Sequence, residues 1–200
     1  MRLGIFGGTF DPVHNGHLLL AEQCREQCRL DQVWFVPAGV PPHKLACTLA
    51  SGKARAEMLE LAVAGHDSLR VDRRELDRDD PCYTVETLAG IKAEDPTREL
   101  FFLMGADSLA EFPTWREPRR IVELAQLAVV NRGGAAAVDP APVQVMLGES
   151  LAARIHFVAI SGVDFSSSEV RRRIAEHKSV RFMVPRAVEC YIQTHGLYRQ

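Results

Sequence analysis

The chain has 200 residues, 46% of them apolar and 25% charged, a balance that supports one folded domain and argues against wholesale disorder. A formal net charge of −2 excludes a general binder of nucleic acid or anionic membrane, although a local basic pocket stays open. Cys24, Cys28, Cys47, Cys82 and Cys190 are scattered, odd in number and without a C-x-x-C pair, so they read as reduced thiols of a cytoplasmic protein, not as a disulfide frame or zinc site.

Met1 leads at once into a short strand, so no signal peptide is expected. No apolar run approaches the roughly 18 residues of a membrane span. In chain order, Leu3–Phe6, Val33–Val36, Leu69–Val71, Leu100–Met104, Leu127–Val130 and Ile155–Ile160 read as strands. Most are apolar throughout, as parallel strands covered on both faces should be. Helical patterns lie between and after them. The first carries Leu20, Ala21, Cys24 and Cys28 on one apolar stripe, which is also the plain account of that cysteine pair. Others run over about 52–64, 85–94, 118–125, 167–177 and 185–194. Residues 133–142, GGAAAVDPAP, read as a surface linker. Strand–helix alternation predicts an α/β, Rossmann-like, doubly wound and mostly parallel sheet with helices on both faces. A single domain over residues 1–200 is expected, its C-terminal helical portion from about 166 to 200 completing a phosphate site.

The stretch from Gly4 to Glu22, GIFGGTFDPVHNGHLLLAE, marks the first strand–helix junction. In open parallel sheets ligands bind beyond the carboxyl ends of strands, where helix N-termini point outward. Gly7 and Gly8 let backbone amides approach a ligand closely. Asp11–Pro12 makes a turn, and Asn15–Gly16 leads into the helix carrying His17. Neither a G-x-G-x-x-G nor a Walker loop is present. What remains is an anion site of amides, a helix dipole, and the imidazoles of His14 and His17. As zinc ligands these two are weak candidates, three apart with no further ligand in view.

GGTFDPVHNGH resembles the signature of nucleotidyltransferases that join a phosphate to the α-phosphorus of ATP or CTP. The doubled glycine and His14 resemble the bacterial nicotinate mononucleotide adenylyltransferases more than the pantetheine-phosphate enzymes. Further segments resemble that family in order: PPHK (41–44), PCYTVETL (81–88), MGADSLAEFPTW (104–115), FSSSEVRRRI (165–174) and VPRAVECYI (184–192). Cys82, Phe165 and Ser168 depart from the family's usual serine, isoleucine and threonine. Cys82 and Ser168 keep a small side chain, and Phe165 reads as a packing change.

The resemblance implies an adenylyltransferase joining ATP, brought with Mg²⁺, to nicotinate mononucleotide. His14, His17, Lys44 and Arg171 would be catalytic. ATP would lie on Gly7, Gly8, Thr9, Phe10, His17, Gly105, Asp107, Ser167, Ser168 and Arg171. The mononucleotide would lie on Gly8, Thr9, Lys44, Tyr83, Thr84 and Trp115, with the indole stacked on the base and the Tyr83–Thr84 amides on its carboxylate.

The residues read alone are compatible with these roles. Lys44 follows two prolines that stiffen its loop, though a lone lysine also reads as a solvated surface group. Ser166 with Glu169 forms a capping box at a serine-rich helix start, with Arg171 one turn on. Asp107 at a strand's carboxyl end can accept ribose hydroxyls or cap a helix. Trp115, between Pro113 and Arg116, belongs on a loop after a helix and can stack or simply pack. No nucleophile–base–orienter triad is in view, which suits a phosphate nucleophile already ionised at neutral pH. Acceptance of phosphopantetheine or the amidated mononucleotide, and a non-catalytic nucleotide sensor, stay open as alternatives.

Overall fold

Four of the six apolar runs become strands a little longer than their apolar cores, and two keep the expected bounds. In the computed structural model, which describes residues 1–39, 50–78, 80–132, 139–160 and 165–199, they are β1 (Arg2–Gly8), β2 (Gln32–Pro37), β3 (Leu69–Val71), β4 (Glu99–Gly105), β5 (Ala125–Arg132) and β6 (Ile155–Ile160). All pair parallel, in the order β3-β2-β1-β4-β5-β6. Chain direction across the sheet reverses between β1 and β4, so a crevice opens beyond their carboxyl ends.

The helices are α1 (Asn15–Gln27), α2 (Gly52–Val63), α3 (Thr84–Glu94), α4 (Ala106–Glu111), α5 (Pro118–Leu124), α6 (Ala141–Leu147), α7 (Glu149–Ala152), α8 (Ser167–Ala175) and α9 (Arg186–Thr194). Successive residues of β4 explain why its run has no polar alternation. Phe101 and Leu103 enter one core with Leu20, Ala21 and Cys24 of α1, Met58 and Leu59 of α2, Val170 of α8 and Val188 of α9. Leu100, Phe102 and Met104 enter the opposite core with Leu88 and Ile91 of α3, Leu109 of α4, Ile121 and Val122 of α5, and Val143 of α6. Each large side chain so buried contributes about 1.5–3 kcal/mol. Cys24 is buried among these groups, and burial pushes its thiol up to about 12, so it packs as a small apolar residue.

Three helices depart from the sequence reading. α4 starts directly on the last strand residue, without the polar gap that usually announces a helix. α6 begins inside the predicted linker, of which residues 133–138 lie outside the described residues. Pro140 is the N-cap and Pro142 lies in the first turn, where a missing N–H costs nothing. α7 is a single short turn after Gly148.

Candidate active site

The junction after β1 is a tight, largely buried turn. Phe10 adopts φ 50° and is 2% exposed, its ring packed edge-on against Phe6 at 5.3 Å and His17 at 5.0 Å. A Cβ on Gly8 would lie 2.9 Å from that ring, so only glycine permits the approach. The Gly8 carbonyl accepts from the Ala38 N–H at 2.8 Å, tying the turn to the end of β2.

His14 is the N-cap of α1, and its N–H donates to His17 Nδ1 at 3.2 Å. That bond needs a lone pair on Nδ1, so the neutral His17 ring carries its proton on Nε2. The two imidazoles stack with centroids 3.6 Å apart and planes 21° apart. Among the described residues, no group of three or more His, Cys, Asp and Glu side chains is placed to hold a metal ion.

The turn forms one wall of a cavity of about 180 Å³, lined by Phe6, Gly7, Gly8, Phe10, His14, His17, Gly105, Asp107, Ser108, Ile160 and Phe165 among others. Residues expected from two distant segments are thereby brought together at the β1–β4 reversal. Gly105 faces open space, with nothing within 4 Å of the point a Cβ would occupy. It is also the N-cap of α4, so Asp107 lies in the first turn, exposed and not capping. Phe165, read as a packing change, lines the cavity beside the start of α8.

The start of α8 approaches the turn from another side. Ser166 Oγ accepts from the Glu169 N–H at 3.1 Å, but the Glu169 carboxylate pairs with Arg172, not with the cap amide, so only half of the predicted box forms. Ser167 Oγ donates to the Pro12 carbonyl at 3.0 Å. Arg171 donates to the Asp11 carbonyl at 2.6 Å and to Ser168 Oγ at 3.3 Å. Two of the expected phosphate donors therefore also lock helix to turn. Lys44 lies outside the described residues.

A second cleft, of about 1000 Å³, is lined by Cys82, Tyr83, Thr84, Glu111, Thr114, Trp115, Arg116 and Ile121. Tyr83 is the N-cap of α3 and Thr84 its first residue, so the first amides of α3 lie at this wall. Trp115 follows a 3-10 turn (Phe112–Thr114) and is half-buried, its ring 5.6 Å from Phe112 and 5.9 Å from Phe102. Arg116 lies 4.5 Å over the Tyr83 ring and pairs with Glu86 at 3.0 Å. The Cys82 thiol makes only weak contacts, to the Asp80 carbonyl at 3.5 Å and the Glu75 carbonyl at 3.8 Å.

Behind this cleft, burial pushes the Glu75 carboxyl above the ordinary carboxylate range, against an opposing 2.6 Å hydrogen bond from Thr87 Oγ1. The folded protein thus holds this proton more tightly than the unfolded chain. The associated stability is present below the unfolded carboxyl's pKa and is lost as pH rises through the folded value. Glu75→Gln, which can still accept from Thr87, should melt above the wild type at neutral pH and level with it near about pH 4. Equal melting temperatures at both pH values would show that the carboxyl is unshifted.

The sequence profile of the cytidylyltransferase-like family matches residues 5–173. A Thermus thermophilus protein called probable nicotinate-nucleotide adenylyltransferase is 47% identical over 199 residues, covering all of both chains. A Thermomicrobium roseum protein of the same name is 45% identical over 200 residues, 99% of this chain and 92% of its own. This chain belongs to the nicotinate-nucleotide adenylyltransferase family. A Plasmodium falciparum nicotinic acid mononucleotide adenylyltransferase complexed with NaAD shares the fold, with a TM-score of 0.77 at 18% identity over 98% of this chain and 97% of that one.

In this adenylyltransferase chain the residues that sequence reasoning passed over are those beneath the turn. Asp11 is 1% exposed and Arg55 3% exposed; Asp11 read as a turn former, and Arg55 fell unremarked inside the helical pattern over 52–64. Tyr198 reaches Asp11 from the far end of the chain. Nothing local announces Arg55 or Tyr198. The signal for Asp11 was its place inside the motif itself.

Proposed function

We propose that this protein transfers the adenylyl group of ATP to the phosphate of nicotinate mononucleotide, giving nicotinate adenine dinucleotide and pyrophosphate, a step in NAD biosynthesis carried out in the cytoplasm. The observation that carries this reading is the pair of cavities flanking the β1–β4 reversal. One is lined by Gly7, Gly8, Phe10 and His17, residue types that suit a triphosphate. The other has a half-buried indole beside a helix N-terminus, as an aromatic ring bearing a carboxylate needs. Whole-chain similarity to the named relatives supports the same assignment.

Bond changes follow from the two substrates. An oxygen of the mononucleotide phosphate attacks the α-phosphorus of ATP, the bond to the bridging oxygen breaks, and pyrophosphate leaves with the electron pair. A phosphate monoester has a second pKa near about 6, so no side chain has to remove a proton. The protein's task is to align two anions and to spread the charge that grows on the leaving group.

In this reading the turn amides of Gly7, Gly8, Thr9 and Phe10, with His14 beside them, cradle the phosphates. His17 donates from Nε2, and Lys44, Ser167, Ser168 and Arg171 add positive or hydroxyl partners. Gly105 and Asp107 receive the adenosine ribose, where any side chain on Gly105 would occupy ligand space. Gly8, Thr9 and Lys44 also face the mononucleotide phosphate. Tyr83 and Thr84 offer amides to its carboxylate, and Trp115 stacks on its base. Mg²⁺ enters with ATP. The described residues present no carboxylate cage for it, so its ligands in this reading would be phosphate oxygens and water. The whole chain acts as one domain, with 166–200 completing the phosphate site.

The deciding assay measures pyrophosphate release from ATP and Mg²⁺ with nicotinate mononucleotide, nicotinamide mononucleotide and phosphopantetheine in turn. Release with the first, and less with the others, is the expected result; release with none favours a nucleotide sensor. Trp115→Ala should raise KM for the mononucleotide by about ten-fold, the upper end of an aromatic stack, with kcat little changed. An unchanged KM at saturating ATP would remove the stacking role.

A further inference from the structure

A buried polar network lies beneath the turn, outside the cavity that the turn lines. Asp11 Oδ1 accepts from the Tyr198 hydroxyl at 2.6 Å and from the Ala50 N–H at 3.1 Å, while Oδ2 lies 3.7 Å from the Arg171 guanidinium. Arg55, from α2, donates to the carbonyls of Thr9 at 2.7 Å, Gly39 at 3.2 Å and Ala50 at 3.2 Å. One guanidinium thus binds the loop after β1, the loop after β2 and the entrance to α2. One phenol, 187 positions along the chain from Asp11, clamps the same turn from the C-terminal tail.

These groups are costly to bury. Burial pulls the Arg55 guanidinium below its ordinary value, against the pull of Asp11, and burial, then the bond to Asp11, pushes the Tyr198 phenol well above its own. Apolar side chains of similar volume often stabilise as well as buried charges do. What polar partners add is a fixed place for each carbonyl and carboxylate. The turn in question carries the phosphate-facing amides, and its Phe10 ring packs against His17, so any shift of Thr9–Asp11 is passed to both.

We propose that Arg55 and Tyr198 are positioning residues of the transfer reaction, holding the Thr9 carbonyl and the Asp11 carboxylate so that the turn amides and His17 meet the phosphates in register. This rests on the adenylyl-transfer reading above. Neither side chain lines the cavity, so both act through the turn. A lysine cannot replace Arg55, because one ammonium cannot span three carbonyls that come from different loops.

The test compares Tyr198→Phe and Arg55→Lys with Val143→Ala, a truncation on α6 in the opposite core that serves as a stability control. Each is measured for melting temperature, kcat, KM for ATP and amide hydrogen exchange over residues 8–16. Tyr198→Phe keeps the ring and should fold. Its kcat should fall about ten-fold, as misplacement in a positioned site does, with KM for ATP within about two-fold and faster exchange across the turn. Arg55→Lys should fall at least as far. Val143→Ala should lose comparable melting temperature yet keep wild-type kcat and turn exchange. The inference is overturned if Tyr198→Phe retains kcat, or if its loss matches that of Val143→Ala at equal stability, or if turn exchange is unaltered. A wild-type protein that releases no pyrophosphate with any acceptor overturns the proposed function and this inference together, whereas an active wild type with unimpaired variants overturns the inference alone.

Discussion

His17→Ala is expected to lower kcat by about 10²–10³-fold, the usual cost of losing one positioned donor to transition-state charge. In the proposed reaction, the surroundings of this imidazole suit that task. Its Nδ1 is occupied as acceptor for the His14 N–H at 3.2 Å, which leaves Nε2 as the proton-bearing nitrogen. The ring is gripped edge-on by Phe10 at 5.0 Å and Phe6 at 5.9 Å, and stacked by His14 at 3.6 Å. A donor held on three sides needs little reorganisation when charge develops. Stability should suffer less than turnover, because what is lost is a helix-start hydrogen bond, worth about 0.5–1.5 kcal/mol net, and the ring's contacts with Phe6, Phe10 and His14. His17→Asn, which keeps a donor on a shorter arm, should recover some of the melting temperature but little of the rate. Turnover near wild type in His17→Ala would make the ring a structural cap.

The same residue shows which features a sequence of this kind makes legible. The glycines and histidines of the first junction are neighbours along the chain, and a strand–helix turn keeps such neighbours close. Their proximity was therefore legible, as were the strands, whose apolar runs had to be covered on both faces. The place of Gly105 and Asp107 was legible because one ends another strand of the same parallel sheet and the other starts the helix after it, and every strand of such a sheet delivers its carboxyl end to the same edge. Arg55 was not. Within Gly52–Val63 a single arginine looks like part of a solvated helix face, and only the folded arrangement shows three loop carbonyls converging on it. Tyr198 was hidden for the same reason, since its partner is an aspartate near the other end of the chain. α6 was missed because its first residues, Ala141 and Pro142, were taken into the linker, although a helix tolerates proline in its first turn.

Arg171→Ala should be the other severe substitution, lowering kcat/KM for ATP by about 10²–10³-fold, the cost of losing one positioned donor to transition-state charge. Its side chain is 27% exposed and aligned along the turn. One arm donates to the Asp11 carbonyl at 2.6 Å; the other donates to Ser168 Oγ at 3.3 Å. The first bond is short and charge-assisted and would persist with ligand present. The second is longer, and a phosphate oxygen can replace the hydroxyl as acceptor without disturbing the first. Arg171 would then join α8, the turn and the triphosphate in one planar fork, which a point charge cannot reproduce. Arg171→Lys should therefore keep part of the ATP affinity but recover little kcat. Loss of the bond to Asp11 should also lower stability by about 1.5–3 kcal/mol, the worth of a hydrogen bond to a charged group, so melting temperature and rate must be measured together. An Arg171→Ala protein with reduced melting temperature but wild-type kcat/KM would confine the arginine to clamping the turn.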